Sequence, residues 1–262
     1  MANLFIVRRL TVEYNSKHSP FKALNDISLE VPHGSSICIV GSSGAGKSTF
    51  AHAILGLLAS DAPMQGEVIL PGRDSAIKSN DELMEYRRTK VGVIFQDAPG
   101  SLVPGVPVGR QVERVFRFRR RIGRSEALSQ ARAALEEVGL ADHERIRYAL
   151  PSELSGGMCQ RVMISLALAA PGPLQLLVAD EPLSALDSVS AAQILDLLLR
   201  IRAERKATML FITHDIRLVR RFDWVALFSQ GSLIEMQRSQ SFLDKPMSDE
   251  GERFLAASRS LE

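Results

Sequence analysis

The chemistry of this chain is most legible in nine consecutive residues, Gly41-Ser42-Ser43-Gly44-Ala45-Gly46-Lys47-Ser48-Thr49. They follow the apolar run Ile37–Val40 and open a stretch, Lys47–Leu58, patterned as a helix. The spacing fits G-x-x-x-x-G-K-[ST] in a strand–loop–helix setting. Glycines there let backbone N–H groups converge at a helix N-terminus, an arrangement suited to the several negative charges of a triphosphate. Lys47 is expected to reach the β- and γ-phosphates and the Ser48 hydroxyl to ligate Mg²⁺. A plain Gly/Ser-rich turn is the blander reading. It does not account for four fixed positions and both flanks agreeing with the motif.

Further polar residues stand where apolar runs end. Leu174–Ala179 leads into Asp180 and Glu181. Downstream of a phosphate loop, such a strand supplies the Asp on the Mg²⁺ side, and the next carboxylate can take a proton from the attacking water or hold it in line. Alone, a strand-end Asp-Glu reads as a turn. The run Val91–Phe95 ends at Gln96 and the run Thr208–Thr213 at His214. In a parallel sheet, residues at the carboxyl ends of strands line the ligand crevice, so Gln96 is placed to reach the metal or water and His214 the γ-phosphate or water. Taken singly, the Gln is an ordinary loop residue and the His a structural one. Leu154-Ser155-Gly156-Gly157-Met158 opens an apolar helix expected to run through Ala170; Ser155 reads as its N-cap, and the two glycines leave N–H groups bare for an anion. Tyr14, upstream of the loop, could stack on a purine or simply pack.

These residues must be held by strands alternating with helices. Leu4–Tyr14 and Ile27–Val31 read as β-strands of an antiparallel edge sheet, Gly66–Leu70 as a strand and Asn80–Arg88 as a short polar helix. From Ala98 to Pro151 the texture changes to a Pro/Gly loop (Pro99, Gly100, Pro104, Gly105, Pro107) and helices near Val108–Phe118 and Ser125–Val138, an inserted helical sub-domain. Val189–Glu204 reads as a helix, Trp224–Phe228 and Ser232–Glu235 as a closing hairpin, and the chain from Ser239 onward as a helical tail.

With 262 residues, 45% apolar and 24% charged, the composition is that of an ordinary globular chain, and a formal charge of +2 points to no partner. Arginines nevertheless cluster over Arg114–Arg121 and at Arg124. They read as a solvated helix face, with a partner subunit or membrane surface as the next reading and nucleic acid far behind. Two cysteines, Cys38 and Cys159, imply neither a disulfide framework nor a metal site, and a reducing cytosol is the expected compartment. The start, Met1–Arg9, lacks a signal-peptide pattern, and the apolar runs are shorter than the roughly 20 residues that span a bilayer, so any membrane role is expected to be peripheral.

The ordered set resembles the ATP-binding cassette (ABC) proteins. Tyr14 matches the adenine-stacking aromatic, Gly41–Thr49 the Walker A loop, Gln96 the Q-loop, Leu154–Met158 the signature, Leu176–Asp180 with Glu181 the Walker B strand and catalytic Glu, Ser184–Asp187 the D-loop, and His214 the switch histidine. The resemblance covers about Leu4–Glu235. It implies an α/β fold: a P-loop NTPase core (about 1–97 and 172–238) with an antiparallel β edge, a helical sub-domain (about 98–171) and a C-terminal tail (about 239–262). It implies an ATPase with ATP and Mg²⁺ as ligands, in which Ser155, Gly156 and Gly157 contact ATP held by a partner's loop. Phe95–Pro104, Val108–Gln111 and Met158 look like the branch that imports dipeptides, oligopeptides and nickel. That branch pairs a second ATPase with two permeases and an extracytoplasmic binding protein, at the cytoplasmic face of the inner membrane. The lack of a cysteine-bearing C-terminal extension points to nickel or a nickel chelate over peptides.

The chain departs from the branch at Cys159, Leu183 and Ser35, where Arg, Thr and Glu are usual. These positions bear on partner contacts and remove no phosphate ligand. A DNA-repair cassette is disfavoured, having neither a heptad-patterned insertion nor a second cassette here. A dead regulatory module is disfavoured by Lys47, Asp180, Glu181 and His214, and a GTPase by the lack of an Asn-Lys-x-Asp motif. An ABC protein attached to a phosphonate-cleaving complex is the remaining alternative.

Overall fold

The structure, a computed structural model, describes residues 4–15, 20–58, 62–77, 79–140 and 143–259. The start of the chain at 1–3 and the end of the expected tail at 260–262 lie outside these residues. The chain divides into one unit made of Met1–Leu83 with Thr208–Glu262 and another made of Met84–Ala207.

The first unit begins with β1 (Leu4–Asn15) and β2 (Pro20–Pro32), paired antiparallel with Tyr14 opposite Phe21 and Phe5 opposite Val31. The register shifts between Val7 and Leu10, beside the left-handed residues Arg9 (φ 52°) and Asp26 (φ 54°). β2 begins before the predicted Ile27, because Phe21 and Leu24 also pair with β1. β3 (Ser36–Val40) is buried along its length and delivers the phosphate loop to α1 (Lys47–Leu55). That helix stops short of the predicted Leu58, since Gly56 takes a left-handed φ of 61° and turns the chain out of it. β4 (Met64–Ile69) joins the other edge of β1, so the antiparallel sheet has the order β2-β1-β4. Next comes α2 (Asn80–Lys90), acidic in its first turn and basic in its last, as the helix dipole favours.

In the second unit β5 (Val91–Ile94) pairs parallel with β6 (Leu176–Asp180). Between them lie α3 (Ala98–Ser101), α4 (Val108–Arg120), α5 (Arg124–Glu137), α6 (His143–Tyr148) and α7 (Gly156–Ala167). Neither α3 nor α6 was predicted. The Pro/Gly loop contains α3 because Asp97 caps it, its Oδ1 accepting from Gly100 N at 2.9 Å. Val112 and Phe116 of α4 and Ala127, Ala131 and Leu135 of α5 are buried, the small side chains of α5 permitting close helix packing. α7 ends at Ala167 rather than Ala170. Then α8 (Ser188–Arg205) follows β6, capped by Asp187.

Returning to the first unit, β7 (Thr208–Ile212) and β8 (Trp224–Ser229) flank β3 in parallel, and β9 (Ser232–Arg238) pairs antiparallel with β8. β3 and β7 are wholly buried, which is why they read as continuous apolar runs. Phe50 of α1 meets Phe228 of β8 with ring centroids 5.3 Å apart. The tail is two helices, α9 (Ser239–Asp244) and α10 (Asp249–Arg259), where one was expected; Pro246 excludes helical geometry at Lys245 and breaks the run. Glu235 of β9 holds the break, accepting from Met247 N at 2.7 Å and Ser248 Oγ at 2.6 Å.

Candidate functional site

In the first unit the phosphate loop leaves β3 at Gly41 and reaches α1 through Gly46, whose φ of 97° is a left-handed geometry that glycine adopts at least cost. A glycine at this N-cap contributes no capping side chain, so no side-chain cap occupies the N-terminus of α1. Ser42, Ser43, Gly44 and Ser48 are exposed, Thr49 is half-buried, and Ala45 points inward. Lys47 is buried at 6% exposure, its Nζ donating to Gly41 O at 2.9 Å and Ser42 O at 2.8 Å. The ammonium is thereby held over the loop's own carbonyls, poised toward whatever the loop encloses.

Supports for this loop come from sequence-distant residues that the sequence reading missed. A Cβ at Gly46 would lie 2.8 Å from Ala23 O on β2, and one at Gly231, in the β8–β9 turn, would lie 2.8 Å from the same oxygen. Gly231 N donates to Ala45 O at 3.1 Å, and Asn25 N to Gly231 O at 2.8 Å. Asp223 secures the entry to β3, accepting from Ser36 N and Oγ at 2.7 and 2.9 Å. A glycine two residues past an apolar strand was the available signal for Gly231; nothing local marks Ala23.

His214 lies exposed past the end of β7, on the same sheet as the loop. Its turn is fixed on both sides: Thr213 N donates to Ile39 O at 3.1 Å and Asp215 N to Thr213 Oγ1 at 3.0 Å. Asp215 accepts from Arg217 Nε and Nη2 at 2.8 Å each, and this guanidinium holds its carboxyl below the ordinary range. Burial pushes the Cys38 thiol on β3 upward, and the negative charge of Asp215 adds to it. Tyr14 is only partly exposed and lies near-parallel to Phe21, centroids 6.3 Å apart with 16° between planes. Tyr14 therefore has a ring partner, Phe21, across the β1–β2 pair.

In the second unit, β5 and β6 run in parallel, so Gln96 and the pair Asp180–Glu181 emerge at the same end. Gln96 Nε2 donates to Glu181 Oε2 at 3.3 Å, joining residues 85 positions apart. Glu181 itself has a φ of 44°, a left-handed conformation a non-glycine residue rarely keeps. Ser184 holds it, its N and Oγ donating to Glu181 O at 3.3 and 3.0 Å. Strain of this type clusters at functional positions. Asp180 is half-buried at the end of an otherwise buried strand.

Ser155 caps α7, its Oγ accepting from Met158 N at 3.3 Å, as its position predicted. Gly156 and Ser155 are exposed. Gly156 and Gly157 lie against the 184–187 segment and the start of α8: a Cβ at Gly156 would meet Leu186 Cδ2 at 3.6 Å, and one at Gly157 would meet Ser190 Oγ at 3.4 Å. Asp187 accepts from Val189 N and Ser190 N at 3.0 and 2.9 Å, and the bonds from Ser190 draw its carboxyl below the usual range. Cys159 is buried, its Sγ facing Pro151 O at 3.5 Å. Both cysteines are free thiols. Among the described residues no group of three or more His, Cys, Asp or Glu is arranged to hold a metal. Ser48 in the first unit, and Gln96 and Asp180 in the second, each carry a hard oxygen donor.

A family model described as ABC transporter matches residues 24–184. The chain is 35% identical over 246 residues to the oligopeptide transport ATP-binding protein OppD of Lactococcus lactis subsp. lactis, covering 93% of this chain and 72% of that protein. It is 40% identical over 218 residues to a probable peptide ABC transporter ATP-binding protein of Sinorhizobium fredii, covering 82% of this chain and 64% of that one. Among solved structures, the dimeric ATP-binding cassette MJ0796 in a post-hydrolysis state, bound to ADP and Pi, superposes with a TM-score of 0.78 at 30% identity, covering 90% of this chain and 98% of that one.

Proposed function

This chain belongs to the ABC transporter family, and we propose that it is the ATP-hydrolysing subunit of an importer whose cargo is short peptides. It is an ATPase of the cassette fold. The observation that carries the nucleotide chemistry is the phosphate loop: a glycine-capped helix N-terminus with a buried lysine folded back over the loop carbonyls. Peptide cargo is supported by the relatives, which are oligopeptide and peptide transport ATP-binding proteins. Nickel or a nickel chelate is the competing cargo.

In this reading the N–H groups of Gly41–Thr49 bind phosphate oxygens, and Lys47 transfers its hydrogen bonds from Gly41 O and Ser42 O to the β- and γ-phosphates. Tyr14 and Phe21 offer a face to the adenine. Ser48, Asp180 and Gln96 are the residues for Mg²⁺, which supplies charge neutralisation at the phosphates when bound. Glu181 orients the attacking water or accepts its proton, with Gln96 restraining the carboxylate, and His214 donates to the γ-phosphate. Ser155, Gly156 and Gly157 complete the nucleotide site of a second cassette subunit. Two permeases and a binding protein complete the assembly, with this chain at the cytoplasmic face of the inner membrane. Among the described residues no helix is long and apolar enough to cross a membrane.

The test is Glu181→Gln. ATP binding should stay within a few-fold of wild type while hydrolysis falls by about 10²–10⁴-fold, the span of a lost general base. Cells carrying it should lose uptake of labelled di- and oligopeptides. Near-normal turnover removes Glu181 from the reaction; loss of nickel uptake with peptide uptake intact replaces the cargo.

A further inference from the structure

Helix α4 carries a row of arginines that nucleotide chemistry does not use. Arg110, Arg114, Arg117 and Arg121 are all exposed. At 3.6 residues per turn their positions fall within an arc of about 60° on one face of the helix and its C-cap. Phe118 projects from the edge of the same arc and is 75% exposed, the most exposed large apolar side chain among the described residues. The opposite face, with Val112 and Phe116, is buried.

Like charges one turn apart repel, so the row is mildly unfavourable to the isolated helix. Nearby carboxylates are engaged with other arginines: Glu113 with Arg124 at 3.3 Å, Glu85 with Arg88 at 2.6 Å, Glu136 with Arg132 at 3.4 Å. Among the described residues none of these ion pairs involves Arg110, Arg114 or Arg117. Arg121 does act on Glu85, helping Arg88 to hold that carboxyl below its ordinary range. The whole chain carries only +2, so the row is a local concentration of charge rather than an expression of a basic protein.

We propose that this face of α4 rests on the anionic phospholipid headgroups of a bilayer, with the arginines on phosphates and Phe118 in the interface. The chemistry favours lipid over other polyanions. Guanidinium groups bind phosphate in a bidentate fashion, and a straight one-sign row suits a planar array of phosphates. A single exposed ring beside such a row is the pattern of interfacial helices, whereas nucleic-acid grooves place no demand on Phe118. The proposal rests on the reading of the chain as a subunit working at a membrane, but its test does not use transport.

The full chain would be co-sedimented with vesicles of pure phosphatidylcholine and of phosphatidylcholine with about one-third phosphatidylglycerol, at low and high salt. Binding to the anionic vesicles is expected to exceed that to neutral ones at least tenfold and to collapse at high salt, because each arginine contributes about fivefold in partition. Arg114→Gln/Arg117→Gln/Arg121→Gln is expected to abolish the difference, and Phe118→Ala to weaken binding at low salt, with melting temperature and ATP turnover unchanged. Equal binding to both vesicle types, no binding to either, full retention by the triple variant, or competition by RNA at equal phosphate concentration would each overturn the proposal.

Discussion

Gly41 and Gly44 look alike in the sequence, yet alanine should affect them very differently. At Gly41 φ is 150°, and a Cβ would lie 2.2 Å from Phe228 O and 3.1 Å from Phe228 C, backbone atoms of β8. Relief requires moving a strand that is tied to β3 through the pair Val40–Leu227. Backbone strain of about 1–3 kcal/mol and overpacking of about 1–3 kcal/mol together give a loss of roughly 2–6 kcal/mol. At Gly44 φ is 76° and a Cβ would meet nothing within 4 Å, so only the conformational term remains, about 1–2 kcal/mol. For a chain of this size about 1 kcal/mol moves the melting temperature by about 2–4 °C. At mid-range the two losses differ by about 2.5 kcal/mol, so Gly41→Ala should melt about 5–10 °C below Gly44→Ala when scanned by circular dichroism at one rate, without nucleotide. Equal melting temperatures would mean that β8 does not confine the loop, and the account of its rigidity would fall.

The remaining expectations are more compact. Lys47→Ala removes a charge-assisted interaction worth about 1.5–3 kcal/mol net of the loop carbonyls it leaves, so a fluorescent ATP analogue should bind about 10–150-fold more weakly; a loss under threefold opposes the role assigned to the ammonium. The Asp215 carboxyl lies below 3.8 because of Arg217. A depressed folded value means that its contribution is full above pH 3.8 and is lost as pH falls through the lower folded value. Asp215→Asn should thus lower stability at neutral pH and flatten the stability profile at the acid end, read by urea midpoints; an unchanged acid slope contradicts the ion pair. Burial raises the thiols of Cys38 and Cys159, so neither should react with a thiol reagent at pH 8 until denaturant is added. One rapidly reacting equivalent in the native protein would show that a strand or helix start opens far more readily than its packing implies.

Much of this molecule is written locally. The phosphate loop, the buried strands Ser36–Val40 and Thr208–Ile212, the Ser155 cap and the Asp180–Glu181 strand end each follow from residues within one turn or one strand of one another. Short-range propensity and periodicity carry that information, and the motif order made the family legible. The tertiary structure decided what depends on approach between distant segments. It set Gln96 against Glu181, gave Tyr14 its partner Phe21, and closed Ala23 and Gly231 around Gly46. It also separated Gly41, pressed on β8, from Gly44, which stands open. The left-handed φ of Glu181 belongs to the same class, whereas the break of the tail before Pro246 follows from a local rule. The physical reason is that strand register and loop closure, which no local window contains, determine which distant atoms come into contact.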